Sequence, residues 1–262
     1  MVIGLEVLVI EVLKYHFSYS FQYMKYYQAY GKILAELWLR EFSTEEARKI
    51  IGEPNLSLLL HRMCEKGLLE RVARGVFRAI HPTVLALEWA GMEWRSKIPQ
   101  KEYRQLMEFI LARLIENFQE KLVSIVLFGS IARGEGKSES DLDLLVVIKD
   151  LPERYSDRLR LFNEAVKGIE KLRLKLWEEK GLYPLIDPII LTPEDASTSH
   201  PFYLDMVDGC VLIFDRGKFM EKKLEKLRKR LKELEARKVL LADGKWYWEL
   251  KPEVERGEVI EL

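Results

Sequence analysis

The stretch from Leu127 to Ile148 reads LFGSIARGEGKSESDLDLLVVI. A greasy run closes on Gly129-Ser130, a polar turn follows, and Asp141 and Asp143 then open a second greasy run. Side chains alternate along a strand, so these two aspartates share a face, with Cα atoms roughly 6.6 Å apart. Two carboxylates held that close repel unless a cation lies between them. Two hard divalent ions about 3.5–4 Å apart, held by carboxylates and phosphate oxygens, form a phosphoryl-transfer site. The Gly-Ser turn suits such a site. Gly129 lets backbone N–H groups approach a phosphate, Ser130 adds a hydroxyl donor, and a helix starting there favours an anion. Arg133 and Lys137 sit where they could meet polyphosphate charge. An N-cap at Ser130 and a solvated strand end at Asp141 would each be ordinary alone. They do not explain both features together, followed by a buried strand.

The remaining composition narrows the setting. The chain has 262 residues, 48% of them hydrophobic, which is enough for a sizeable core. Its 42 basic and 42 acidic residues cancel, which argues against a protein-wide pull on nucleic acid while leaving room for local patches. Charged residues make up 32%, and Asn (3) and Gln (5) are scarce, a thermophile-leaning balance that ordinary charged helix surfaces also produce. Cys64 and Cys210 fit no metal spacing and read as small core residues in a reducing, cytoplasmic compartment. The greasy start VIGLEVLVIEVL is broken by Glu6 and Glu11, lacks a basic lead-in and a cleavage site, and predicts neither a signal peptide nor a membrane span. Tyr15, Phe17, Tyr19, Phe21 and Tyr23 alternate as a strand would, packing in a core or dimer or stacking on bases. With Met24 a candidate start, residues 1–24 are set apart as an N-terminal extension.

From residue 25 the punctuation is clearer. Ile33, Leu34, Leu37 and Trp38 give a helical face over 26–40. Ser43 or Thr44 caps a second helix, with Glu45 and Glu46 in its first turn and Gly52 at its end. A third helix starts near Pro54 or Asn55 and stops at Gly67, and LLERVARGVFRAI predicts a hairpin around ARG. This order resembles a winged helix-turn-helix. The resemblance implies that the third helix offers Asn55, Ser57, His61 and Arg62 to a major groove, with Arg71, Arg74 and Arg78 on the wing; a protein-docking or dimerisation role is the competing use. A connecting helix ends before Pro99, and another runs from about 100 to 120.

GSIARGEGKSESDLDLLV is similar to the signature of the DNA polymerase beta superfamily, in its minimal nucleotidyltransferase branch. Gly129, Ser130, Ala132, Arg133, Gly134, Ser140, Asp141 and Asp143 match, and the ten-residue gap from Ser130 to Asp141 is kept. The resemblance covers roughly 105–215 and includes HPFYLDMVDGCVLIFD. It implies NMP transfer from an NTP such as ATP to a hydroxyl, with release of pyrophosphate and two Mg2+ ions (Mn2+ as the substitute). It also implies a third carboxylate on a neighbouring strand that binds metal and helps deprotonate the hydroxyl. Asp187 fits that place, with Asp195 the fallback; Asp205 and Asp208 read as surface or cap residues. Pro188, beside Asp187, removes a ladder N–H and predicts an edge strand.

CVLIFD reads as a last strand. Leu224, Leu227, Leu231 and Leu234 mark one amphipathic helix within 217–240, packed on the catalytic domain rather than forming a zipper. Trp246, Tyr247 and Trp248 close a hydrophobic edge or stack a base. The expected fold is α+β: a winged-helix module with its connecting helix over 25–98, a nucleotidyltransferase core over 99–216 with a small mixed sheet flanked by helices, and a C-terminal helix and tail over 217–262. Expected partners are the NTP, nucleic acid at the winged helix, a protein or tRNA acceptor, and a second copy of the chain. The rival from another class is a DNA-binding regulator that uses the nucleotidyltransferase fold as a nucleotide sensor.

Overall fold

The computed structural model describes residues 24–207, 209–241 and 246–253, so the aromatic alternation before Met24 and Asp208 lie outside the described residues. The chain divides into two compact units, Met1–Ala86 and Leu87–Leu262.

The first unit begins with α1 (residues 24–37), which buries Tyr26, Ala29, Tyr30, Ile33 and Leu37. Trp38 does not extend that face. Its φ of 52° ends the helix, and its ring is exposed, edge-on to His81. Strand β1 (Phe42–Ser43) leads into α2 (Thr44–Ile51). Ser43 caps α2 through a reciprocal capping box with Glu46, and Gly52 ends it in the left-handed region, as the sequence pattern requires. Helix α3 (Leu56–Glu65) and the hairpin β2 (Leu69–Ala73) and β3 (Val76–Ala79) follow. The three strands form one antiparallel sheet in the order β1-β3-β2, with Phe42 opposite Phe77. Leu56, Leu59, Leu60 and Met63 turn inward from α3 to join the α1 side chains and Phe77 in one core.

Helix α4 (Pro82–Trp89) contains the boundary at Ala86, and in the second unit α5 (Arg104–Phe118) precedes β4 (Leu122–Leu127), buried at every position. The five-residue α6 (Gly129–Arg133) and a loop lead to β5 (Leu142–Ile148). Helices α7 (Tyr155–Ala165) and α8 (Glu170–Lys180) carry the chain to β6 (Ile186–Leu191). Then come α9 (Pro193–Ser197), α10 (Tyr203–Val207), β7 (Val211–Asp215), α11 (Phe219–Glu233) and the pair β8 (Arg237–Leu240) and β9 (Trp246–Glu249). The main sheet has the order β6-β5-β4-β7; β4 runs antiparallel to both neighbours, and β5 and β6 run parallel. It is therefore a small mixed sheet. Pro188 sits in the edge strand β6, where a missing N–H costs no ladder bond.

One face of this sheet packs Val123, Leu145 and Val147 against Tyr203 and Met206 of α10 and Met220, Leu224, Leu227 and Leu231 of α11. Helix α5 packs on β4, α7 and α8. Asp215 links β7 to α11: it accepts from Ser124 Oγ at 2.5 Å and from the backbone N–H groups of Met220 and Glu221. Helix α11 stops at Glu233, short of the sequence expectation. Glu235 takes φ of 58° and the Ala236 N–H donates to Leu231 O, a left-handed termination that releases Arg237–Leu240 as strand β8. Cys64 and Cys210 are free and half-buried, their thiols pushed up by burial. Among the described residues no helix is long and apolar enough to cross a membrane.

Candidate active site

Strand β5 starts at Leu142, so Asp143 lies in the ladder and Asp141 stands exposed one residue before it. The parallel pairing sets Asp143 directly opposite Asp187. Neighbouring residues on paired strands share a face, so the two carboxyls lie side by side at the end of the sheet where β4 gives way to α6. The Phe128 N–H donates to Asp143 O at 3.1 Å, tying the Gly-Ser turn to the acidic strand.

Gly129 has a reason the sequence did not show. Its φ is 72°, and a Cβ there would overlap Oδ2 of Asp143 and lie 2.8 Å from its Cγ. The missing side chain makes room for the Asp143 carboxylate itself. Ser130 lies inside α6 and does not cap it; the cap position is Phe128, which makes no side-chain bond. Gly134 ends α6 in the left-handed region. The loop that follows is pinned by Gln100, whose Nε2 donates to Gly136 O at 2.9 Å and whose Oε1 accepts from Gly136 N at 3.0 Å.

Asp143 is half-buried, and its carboxyl is pushed up to about 6 by burial first, then by the Asp187 and Asp141 carboxylates, with Asp205 adding to them and Arg133 opposing. Arg133 reaches this cluster across Gly209, where a Cβ would lie 2.7 Å from its Cγ, and also pairs with Glu135 at 2.9 Å. Lys137 is exposed on the pinned loop. Asp195, the fallback carboxylate, is used elsewhere. It accepts from Arg158 Nη1 at 2.6 Å, completes a capping box with Thr192, and is held below the usual carboxylate range chiefly by Arg158. Asp205 is the residue the sequence reading missed. It lies on α10, half-buried, its carboxyl raised by burial and held back by Arg133 and Lys238. No spacing in the sequence ties it to Asp143; only the packing of α10 on the sheet does.

The donor set consists of hard oxygens in a crowded negative field, which suits a divalent cation. Among the described residues no three His, Cys, Asp or Glu side chains converge closely enough to hold a metal ion by themselves. Mg2+ is commonly held by one or two carboxylates together with waters and substrate phosphates, and an acidic pair of this kind meets that lesser demand.

Among the cationic candidates of the first unit, Arg71 and Arg74 are exposed at the hairpin, Arg71 with its guanidinium 5.4 Å from the Phe77 ring centroid. Arg62 is half-buried, and its Nη1 donates to Tyr26 Oη at 3.4 Å. Arg78 leaves the candidate set: it is only 4% exposed and pairs with Glu70 at 2.6 Å across the hairpin.

The sequence profile of the nucleotidyltransferase domain family matches residues 110–256, which takes in every carboxylate of the cluster. The chain belongs to this family. It is a nucleotidyltransferase, a transferase of the EC 2.7.7 type. A relative from Methanocaldococcus jannaschii, named "Putative protein adenylyltransferase MJ1305", is 30% identical over 153 residues, 58% of this chain and 96% of its own length. A second protein of that organism with the same description, MJ0141, is 38% identical over 52 residues, 20% of this chain and 46% of its own. A crystal structure of a toxin-antitoxin with AMP-PNP is 20% identical, covering 49% of this chain and 92% of that one at a TM-score of 0.30. So low a score adds nothing to the assignment.

Proposed function

We propose that the second unit moves an NMP from an NTP, with ATP the first candidate, to the hydroxyl of a protein side chain, releasing pyrophosphate. The observation that carries this reading is the register of Asp143 opposite Asp187, with the Gly129 backbone packed against the Asp143 carboxylate. Asp141, Asp143 and Asp187 would hold Mg2+, which when bound screens the triphosphate and polarises its α-phosphorus. The chain's own residues do the rest. Gly129 and Ser130 offer backbone and hydroxyl donors to the phosphates, and Arg133 balances part of their charge. Lys137, on the pinned loop, is the outer candidate for the terminal phosphate. Asp187 takes the proton of the attacking hydroxyl. The new O–P bond forms as the α–β phosphoanhydride breaks, and the electron pair leaves with pyrophosphate. The protein acceptor is favoured by the name of the relative that matches along 96% of its own length.

The first unit is a winged helix in this reading. Helix α3 presents Asn55, Ser57, His61 and Arg62, and the β2–β3 hairpin is the wing. The exposed Arg71 and Arg74 favour a nucleic-acid acceptor or tether as the second reading. One experiment separates the acceptors. The protein is incubated with each α-labelled NTP, Mg2+, and either total cell protein or total RNA. Label on protein that depends on Asp143 supports the first reading, and label on RNA moves the acceptor to nucleic acid. No label on either, with no pyrophosphate released, would overturn the transfer reading.

A further inference from the structure

Away from the carboxylates, the second unit carries a concave groove of about 650 Å3 between α11 and the segment joining α9 to α10. Its α11 wall presents Lys222, Lys223, Lys226, Lys229 and Arg230 against one carboxylate, Glu233. The opposite wall is lined by Ser197, whose hydroxyl donates to Pro193 O at 2.7 Å, and by Ser199, His200 and the Tyr203 ring. That bias is local. Helix α11 holds seven Lys or Arg and three Glu in a chain whose charges cancel. Leu224 and Leu231 fix the helix by its other face and Leu227 is buried at the groove's floor, so the lysines are held beside one another rather than scattered.

The groove is also partly ordered in advance. Lys223 Nζ donates to Ser197 O at 3.0 Å and to Thr198 O at 2.9 Å, and lies 4.7 Å from the Tyr203 ring centroid. An ammonium has three donors, so one remains. Burial first, and the neighbouring Lys226 second, lower the Lys223 ammonium from its usual range. Glu233 stands 3.9 Å from Lys229 and 3.7 Å from Arg230, one carboxylate shared between two cations. His200 is fixed by stacking on Phe202 at 4.9 Å and by Nε2 contacts at 3.0 Å to Thr198 Oγ1 and Asp195 O.

We propose that this groove is a second anion site of the protein, binding the phosphate groups of a nucleotide. A groove of this size suits a compact polyanion, since pockets of roughly 300–1,000 Å3 take ligands of nucleotide size. Clustered ammonium groups match phosphate oxygens. The phosphates come from a free nucleotide or from the end of a single strand, the same chemistry in both. The site stands apart from the transfer reaction, for none of its residues belongs to the carboxylate cluster. Helix α10 connects the two places: Tyr203 and Leu204 line the groove, while Asp205 acts on Asp143.

The test is calorimetric titration of the full chain in EDTA at low salt. The probes are ATP, a single-stranded octaribonucleotide, and poly-glutamate as a polyanion without phosphate. Wild type is compared with Lys222→Glu/Lys226→Glu/Lys229→Glu, three exposed positions whose reversal leaves the apolar face of α11 untouched; thermal melting of the two proteins should coincide. We expect one phosphate probe to bind wild type and to lose about tenfold or more in affinity in the triple variant. Its log-affinity should fall with log salt by about 0.7 per phosphate contact for a strand. ATP as the better probe identifies a free nucleotide, and the oligonucleotide a strand end. Equal binding by wild type and variant, equal binding of poly-glutamate, or no binding of either phosphate probe to wild type would overturn the proposal.

Discussion

Asp187 and Asp195 lie eight residues apart, on strand β6 and just beyond it, and their charges are handled in opposite ways. Asp195 is neutralised: Arg158 approaches to 2.6 Å, and the Thr192 backbone N–H donates to its carboxylate at the start of α9. Asp187 is set opposite another carboxylate, with Asp141 and Asp205 acting on the same neighbour. A scaffold has no use for the second arrangement, because like charges at a sheet end destabilise it. Relieved charge marks Asp195 as structure, and the crowding of carboxylates around Asp143 is the ground on which Asp143 and Asp187 are proposed as the site. The same contrast recurs among the arginines, between Arg78 on Glu70 and the exposed Arg74.

The sharpest way to break the comparison is to remove each charge without changing shape. Asp143→Asn and Asp141→Asn should lower NMP transfer by about a thousandfold or more, on the order of 4 kcal/mol of transition-state stabilisation. Asp195→Asn should leave transfer within about threefold and cost about 1–2 kcal/mol of stability, because Arg158 loses its partner and α9 half its capping box. Transfer assays and melting curves on the three proteins decide it. If Asp195→Asn is as inactive as Asp143→Asn, the division between site and scaffold fails.

The glycines allow a second contrast. Gly129 and Gly181 both have positive φ, 72° and 68°, but a Cβ on Gly181 meets nothing within 4 Å. Either substitution to Ala carries a left-handed strain of about 1–2 kcal/mol. Only Gly129→Ala also displaces the Asp143 carboxylate, so only it should lower transfer, by about a hundredfold, the scale of a misplaced catalytic group. Equal activity of the two variants would return Gly129 to the status of an ordinary turn residue.

A third effect is smaller and concerns stability. The Asp143 carboxyl sits at about 6 in the fold against an ordinary value of 3.8, so the folded state binds this proton more tightly than the unfolded one. That stability is present below about pH 4 and is lost as pH rises to about 6. Screening at a half-buried site trims the loss to about 1–2 kcal/mol. In EDTA, Asp143→Asn should therefore flatten the stability profile between pH 4 and 6 and melt higher than wild type at pH 7. Denaturant titrations across that range measure it; a wild-type profile that stays level there would mean that neither burial nor the neighbouring carboxylates raise the Asp143 carboxyl.

Much of this was legible in the chain. The cap at Ser43 or Thr44, the stop at Gly52, the hairpin, the buried strands and the edge position of Pro188 follow from local rules that read one segment at a time. The spacing of Asp141 and Asp143 belongs to the same class. What stayed hidden was set by neighbours distant in sequence. Gly129 faces Asp143 because two strands pair, Asp205 joins the cluster because α10 packs on the sheet, and Arg78 turns inward because Glu70 lies across the hairpin. Periodicity gave α11 its apolar face but not its end, which depends on a left-handed Glu235 that no composition rule demands.

The arginine contrast yields the smallest effect and the most direct test of the first unit. Arg71 and Arg74 are exposed, whereas Arg78 is buried against Glu70 at 2.6 Å. Replacing Arg71 and Arg74 with Ala should leave melting within about 0.5 kcal/mol, as surface changes usually do. Replacing Arg78 should cost about 1–3 kcal/mol, the penalty for stripping a buried charged hydrogen bond. If the hairpin meets duplex phosphates, the Arg71→Ala/Arg74→Ala protein should show a salt slope of log affinity shallower by about 0.9 per lost contact. Fluorescence anisotropy with a labelled duplex at several salt concentrations reads that slope. An unchanged slope, or a wild type that ignores the duplex, would leave the exposed arginines as ordinary solvated charges and remove nucleic acid from the role of the first unit.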